Sequence, residues 1–385
     1  MTEMPLRYPH VAVSLDNLIH NLREIRRFVP SGKGIIAVVK DCAYGCGSVM
    51  VAKTLEQNGV SHLAVATTDE ARTLRDAGVT LPILVFGVPS GSDLEWGSSK
   101  NIIFSLNDIA DIALWKASGK PVRFHCAVDS GMGRLGILPQ EAGKVIETLK
   151  SAPSLACDGI YTHCASADSP GTETVGLQLQ RFRDVVKLFR KNGFPPQHIH
   201  YANSAALMRF PLDPDCTLVR PGITLYGCRP DPAQDFGISL KPVASLKSHV
   251  VKVKRVPAGT PISYGGRYVT KSDTHIATVS LGYGQGLPRT LGNKGSLLIR
   301  GNRYAIAGTV TMDYIMVDAG SVTDIAVGDE AAAIGCQGSD CITADEVGLL
   351  AGTIGYEILC GLGPRLDRYY YLGGRVVHHL PGRIC

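Results

Sequence analysis

Read by hydropathy alone, the first 230 residues alternate short apolar runs with segments of helical periodicity. The runs are GIIAVVK, HLAVAT, PILVFG, NIIFSL, VRFHCAVD, CDGIYTHC, HIHYANS and TLVRPG, eight in all. The first of them, Ile35 to Val39, is apolar without alternation, as a strand covered on both faces is. Between the runs lie helices with recognisable ends. Thr68-Asp69-Glu70 opens one and Gly78 follows it. Leu179, Phe182, Val186 and Phe189 form an apolar stripe ahead of Gly193. Leu15 to Phe28 turns Leu18, Leu22 and Ile25 the same way, which predicts a helix that caps the array or serves as its last member. Eight βα repeats predict a (β/α)8 TIM barrel better than an open doubly wound sheet.

After Lys241 the texture changes. VASLKSHVVKVKRV, HIATVSLGYG, GSLLIRG, YAIAGTV and IMVDAG alternate or run apolar, with Gly and Pro between them, which predicts a mostly β second domain. Only Thr343 to Ala351 offers a further helix. The loop-like stretch RPDPAQDFGISLKP marks the boundary, giving domains 1–238 and 239–385.

Composition narrows the picture. A 385-residue chain that is 45% hydrophobic and 19% charged is an ordinary globular profile with room for two domains. A net charge of +5 spread along the chain argues against a nucleic-acid partner. No apolar run approaches the ~18 residues of a membrane helix, and MTEMPLRYPH lacks the apolar core of a signal peptide, so a cytoplasmic protein is expected. Eleven cysteines, an odd count, are expected to be free thiols. Cys42/Cys46 and Cys336/Cys341 do not have the spacing of a zinc site, so no metal is expected.

Chemistry in such a barrel gathers at the C-terminal ends of its strands. There the sequence puts Lys40 and Tyr44 after the first strand and His163 after the sixth. Ser204 follows the seventh, and Arg220, Gly222 and Ile223 follow the eighth. A solvated lysine at a strand end is the plain reading of Lys40. Joined to a hydroxyl and to backbone N–H groups where this fold commonly holds phosphate, it also fits an amine that forms a Schiff base with a phosphorylated aldehyde. Pyridoxal 5'-phosphate (PLP) is the cofactor this set suggests. GMGRLG (131–136) formally matches the dinucleotide fingerprint, but Pro139 suits the first turn of the next helix, so the glycines do not themselves open it.

AVVKDCAYGCG, DSGMGRLG, THCASAD, NSAAL, RPGITLYG, ISYGGRY, GYGQGLPR and TVTMDYIMVD, taken in order over nearly the whole chain, resemble the alanine racemases. The resemblance implies that Lys40 carries PLP covalently and serves as general base on one face of the substrate. Tyr264 would act as acid and base on the other face, reaching the site from the second subunit of a head-to-tail homodimer with shared active sites. Removing a proton from one face and returning it to the other is what inversion requires. A phenol is a weak base at its ordinary pKa of ~10, so a cation such as Arg134 is expected to assist. Arg220 resembles the arginine facing the pyridine nitrogen; Tyr44, Ser204, Gly222, Ile223 and Tyr356 resemble the phosphate site. Met312, Asp313 and Tyr283 resemble substrate-carboxylate and entrance positions, and Asp168 and Arg289 resemble corridor residues.

The sequence also departs from the family pattern. Asp41, Cys42 and Cys46 intervene after the lysine, Ala127 stands where many members have a carbamylated lysine, and Thr309 stands where an entrance arginine is usual. The expected reaction is interconversion of L- and D-alanine. The alternatives are racemisation of another small amino acid such as serine, or a PLP-dependent decarboxylase or aldolase of the same layout. A barrel that merely carries PLP would need no opposing base.

Overall fold

The computed structural model describes residues 6–169, 171 and 173–382. The eight apolar runs are eight parallel strands: Gly34–Val38, His62–Val65, Ile83–Val85, Ile102–Leu106, Val122–Ala127, Leu155–Tyr161, His198–His200 and Leu218–Val219. They close into a barrel, Gly34 pairing with Leu218 and Ile35 with Val219. Burial is nearly continuous along the first five, because side chains on one face fill the barrel and those on the other meet helices.

Helix ends follow the local chemistry. The helix Thr68–Asp76 begins at Thr67 in a capping box, Thr67 accepting from the Glu70 N–H while Glu70 reaches back. The helix Leu15–Arg26 buries Leu18, Leu22 and Ile25. Its Asn21 donates to Leu225 O and Lys241 O, pinning it over the short 3-10 turn Ile223–Tyr226 that follows the eighth strand. It thus completes the ring of helices, as its apolar stripe predicts.

The second region is β-rich. The strand Ala244–Val256 alternates buried and partly buried positions over most of its length and anchors a ten-stranded sheet. Five of its strands, His10–Ser14, Glu330–Gln337, Asp340–Ile342, Asp367–Leu372 and Arg375–Leu380, have no counterpart among the elements expected from the sequence. His10–Ser14 pairs antiparallel with Ala244–Lys247 and parallel with residues 367–371, so the N-terminus is stitched into the second sheet before the barrel begins. Two further expectations need correction. A second helix, Gly355–Cys360, follows Ala344–Ala351; at six residues it is too short for its periodicity to be read. Cys336 and Cys341 are not free thiols: they lie directly opposite each other on adjacent antiparallel strands, and a disulfide joins them. Among the described residues no helix is long and apolar enough to cross a membrane.

Candidate active site

Lys40 sits at the C-terminal end of the first strand, half-exposed, its Nζ 3.1 Å from Asp41 Oδ2. The backbone immediately after it is unusual. Asp41, Cys42, Ala43 and Tyr44 all have φ between 51° and 56°, a left-handed turn made of non-glycine residues. Each such residue costs ~1–2 kcal/mol, and strain of this kind persists only where the surroundings over-determine it. The clamps are visible. Glu70 Oε1 accepts the Asp41 N–H at 2.5 Å. From the second sheet, buried Arg368 donates to Gly45 O at 2.8 Å and to Leu362 O and Leu366 O at 2.9 and 3.0 Å. The turn aims Tyr44 inward, its ring 4.6 Å from that of Tyr226 and 6.3 Å from that of Tyr356.

Across the mouth, Ser204 Oγ accepts the Gly222 N–H at 3.0 Å and meets Thr224 Oγ1 at 3.0 Å. Ile223 opens the 3-10 turn, so its N–H has no acceptor within that turn. Gly222 is where the two halves meet: a Cβ there would stand 2.6 Å from Tyr44 Oη. Hydroxyl and N–H groups of Tyr44, Ser204, Gly222, Ile223 and Tyr356 are thus gathered at one end of the barrel. Burial, and for Tyr356 the nearby Tyr44 and Asp168 as well, pushes both phenols well above the ordinary value, so they stay protonated donors.

Arg220 is buried at the same end. It donates to His200 Nδ1 at 2.6 Å and to Thr162 O at 2.7 Å, and lies over the Tyr161 ring. A guanidinium can only donate, so His200 Nδ1 is the bare nitrogen and its Nε2 carries the hydrogen. That hydrogen goes to His125 Nδ1, 2.8 Å away, so the hydrogen of His125 sits on Nε2, facing Asp158 Oδ2 at 3.9 Å. Two neutral imidazoles with fixed tautomers thus connect the barrel mouth to its floor, where Arg123 pairs with Asp158 at 2.8 Å. Burial holds both histidines below their ordinary pKa, with Arg220 adding to the effect on His200. His163 is pushed down to about 3 by burial and by the charges of Arg220, Arg134 and Lys40, the three cations it was expected to accompany.

The GMGRLG segment does no phosphate work. Its N–H groups at Gly131, Met132, Gly133 and Arg134 all point at the Asp129 carboxylate, 2.8–3.0 Å away. They hold Asp129 below the usual carboxylate range although burial opposes them.

Tyr264, Tyr283, Met312 and Asp313 belong to the second domain. Tyr264 is 73% exposed, and Tyr283, Met312 and Tyr314 are exposed as well. Tyr283 N–H donates to Thr311 O and Gly284 N–H to Met312 O. Ser263 donates to Thr309 O, and Thr309 Oγ1 donates to Tyr264 O, so Thr309 clamps the turn carrying the tyrosine. Asp313 faces Arg365 at 3.9 Å. No hydrogen bond or ion pair among the described residues joins this patch to Lys40 or Arg220 of the same chain.

Comparison with known proteins gives the same outline. Residues 13–230 match the family described as alanine racemase, N-terminal domain, and residues 243–370 match alanine racemase, C-terminal domain. The chain belongs to the alanine racemase family. It is thereby placed among isomerases. The alanine racemase of Geobacter sp. (strain M21) is 42% identical, covering 94% of this chain and 98% of the relative. Alanine racemase 2 of Caldanaerobacter subterraneus subsp. tengcongensis is 37% identical, covering 96% and 97%. The crystal structure of the Bacillus anthracis alanine racemase with bound L-Ala-P is 36% identical, with a TM-score of 0.90 and 98% of each chain covered. The Clostridium difficile 630 alanine racemase reaches a TM-score of 0.92 at 33% identity, covering 99% and 100%.

Several residues that build the site carried no usable signal in the sequence. Glu70 was legible as a helix-capping residue but not as the partner of the strained turn. Arg368 and the His200–His125–Asp158 line act across 30 to more than 300 positions of chain, beyond the reach of any local pattern.

Proposed function

We propose that the chain interconverts L- and D-alanine with PLP held by Lys40, using Lys40 and Tyr264 as the two acid–base groups. The observation that carries this reading is the cradle at the barrel mouth: Tyr44 Oη beside Gly222, the Gly222 N–H on Ser204 Oγ, and Tyr356 behind them. A side chain at position 222 would fill the space, which suits a small oxyanion approached by backbone. The donor set therefore fits the phosphate of PLP. Ile223 N–H would add a donor, and His163, neutral at working pH, would flank the ring without adding charge. Arg220 has its Nε–H and one Nη1–H free of partners among the described residues and would offer one to the pyridine nitrogen while keeping its own proton.

When bound, PLP supplies an electron sink that acidifies the Cα–H of an amino acid. Once the substrate amine has displaced it from the cofactor, the freed Lys40 Nζ would take the Cα proton on one face, and Tyr264 Oη would deliver a proton on the other; the reverse reaction exchanges these roles. Met312 N–H and the Arg134 guanidinium orient the substrate carboxylate, with Asp313 and Tyr283 at the entrance. The exposure of Tyr264, and the lack among the described residues of any hydrogen bond or ion pair from it to Lys40, support a head-to-tail homodimer, in which Tyr264 of the partner subunit completes each site. The barrel of residues 1–238 would then serve the cofactor and residues 239–385 the second base, in a cytoplasmic enzyme.

Incubation with L-alanine in D2O tests the reading. Both enantiomers should appear with deuterium at Cα, and Tyr264→Phe should abolish inversion while sparing cofactor binding. Release of CO2 or an aldehyde, or racemisation undiminished in Tyr264→Phe, would overturn it.

A further inference from the structure

The helix Glu173–Lys191 buries an apolar stripe that includes Leu179, Phe182, Val186 and Phe189. One polar side chain, Gln178, interrupts the stripe and is only 1% exposed. A carboxamide taken out of water costs free energy unless its two ends find partners, whereas leucine or methionine would complete the stripe without that cost. The choice of glutamine is therefore explained by what it meets.

It meets two loops at the barrel mouth. Its Oε1 accepts the Ala165 N–H at 3.0 Å and its Nε2 donates to His163 O at 3.3 Å, so it grips the loop after the sixth strand on either side of Cys164. Its stem lies against the loop after the fifth strand. A Cβ at Gly131 would stand 3.0 Å from Gln178 Cγ, and the φ of +147° there is one that side chains rarely adopt. Arg181, one turn further along the helix, donates to Ser130 O at 3.1 Å. Both loops are stiff beyond these contacts. Asn203 donates to Cys164 O at 3.2 Å, and the Asp129 carboxylate gathers the four N–H groups from Gly131 to Arg134. His163 on the first loop has its Nδ1 3.5 Å from Arg220 Nη2, and Arg134 closes the turn on the second. Gln178 is thus a spacer between the two.

We propose that Gln178 is a positioning residue for racemisation: it sets the separation of His163 and Arg134, and with it how the substrate carboxylate is presented to the cofactor ring. The proposal rests on the roles given above to His163 and Arg134.

The test compares the holoenzymes of wild type, Gln178→Met, Gln178→Glu and Phe182→Leu. Methionine is close in length and has neither polar end, glutamate keeps an acceptor for the Ala165 N–H, and Phe182→Leu removes packing from the same stripe but no hydrogen bond. KM and kcat for L-alanine, PLP content, the visible circular dichroism of the bound PLP and the melting midpoint are measured for each. Gln178→Met should keep its PLP yet raise KM about fivefold, the worth of one net hydrogen bond, with a smaller fall in kcat and an altered dichroic band. Gln178→Glu should lie between it and wild type, and Phe182→Leu should melt lower with KM and band unchanged. Wild-type KM and dichroism in Gln178→Met, or the same changes in Phe182→Leu, would overturn the proposal. If Gln178→Met does not fold, Gln178→Glu against wild type decides on the same readings. Wild-type protein that takes up no PLP, or leaves alanine unracemised, would instead remove the roles of His163 and Arg134, and this proposal with them.

Discussion

Gly222→Ala is the most sharply defined perturbation of the cradle. The added methyl would lie 2.6 Å from Tyr44 Oη and 3.4 Å from its Cζ, so the hydroxyl must retreat by about 0.8 Å to reach ordinary contact at 3.4 Å. Tyr44 has little freedom to do so: it is buried, its ring lies 4.6 Å from that of Tyr226, and its backbone belongs to the left-handed turn. Overpacking of this kind costs ~1–3 kcal/mol. Losing one hydrogen bond to a charged phosphate costs ~1.5–3 kcal/mol more in affinity, or about 10- to 150-fold in Kd. Titration of the apoprotein with PLP, followed by absorbance, should show that rise in Kd, together with a melting midpoint lowered by a few degrees. Tyr44→Phe supplies the decisive comparison. It removes the clashing oxygen, so the stability cost of Gly222→Ala should largely vanish in that background. Unchanged affinity and melting in Gly222→Ala, or an equal cost with Phe at position 44, would refute the assignment of these two residues to one pocket.

Arg368→Met would orphan three buried carbonyls around the turn after Lys40 and is expected to destabilise the chain by ~3 kcal/mol or more, with cofactor affinity falling alongside; unaltered affinity in a folded variant would exclude the clamp. His200→Leu leaves the Arg220 guanidinium without its nearest acceptor, whereas His200→Asn keeps an oxygen there. Melting should therefore fall by a few degrees more for Leu than for Asn, and equal losses would argue against a hydrogen-bonding role. Stability should also depend on pH. His62, held at about 4 chiefly by burial, and His163, at about 3, stay neutral in the fold while the unfolded chain takes up protons near pH 6.5. Below that pH the unfolded state binds more protons, so stability falls with pH by ~1.4 kcal/mol per unit for each such histidine, down to the folded values. A melting midpoint that is flat from pH 7 to pH 5 would contradict this, and His62→Phe should reduce the slope.

Local pattern determined most of the fold. Eight apolar runs with capped helices between them leave few ways to bury their surface, and a closed barrel puts every run's C-terminal end at one mouth. That is why Lys40, Tyr44, His163, Ser204, Arg220 and Gly222 are legible as neighbours from the order of residues alone. The alternation in Ala244–Val256 likewise declared a sheet with one covered face. Tertiary structure alone decided what no window of sequence contains. His10–Ser14 reads as a short apolar stretch, and only pairing partners more than 200 residues away make it part of the second sheet. Cys336 and Cys341 became a disulfide because antiparallel register set them opposite each other. The strain at residues 41–44 is invisible in their types, since none is glycine; it exists because Glu70 and Arg368 hold the chain there from separate elements. Tautomers along Arg220, His200 and His125 follow from distances between strands, and the meeting of Gly131 and Ala165 on Gln178 follows from how two loops fold over one helix. Sequence periodicity reports which face a residue turns, whereas long-range contacts fix what that face meets.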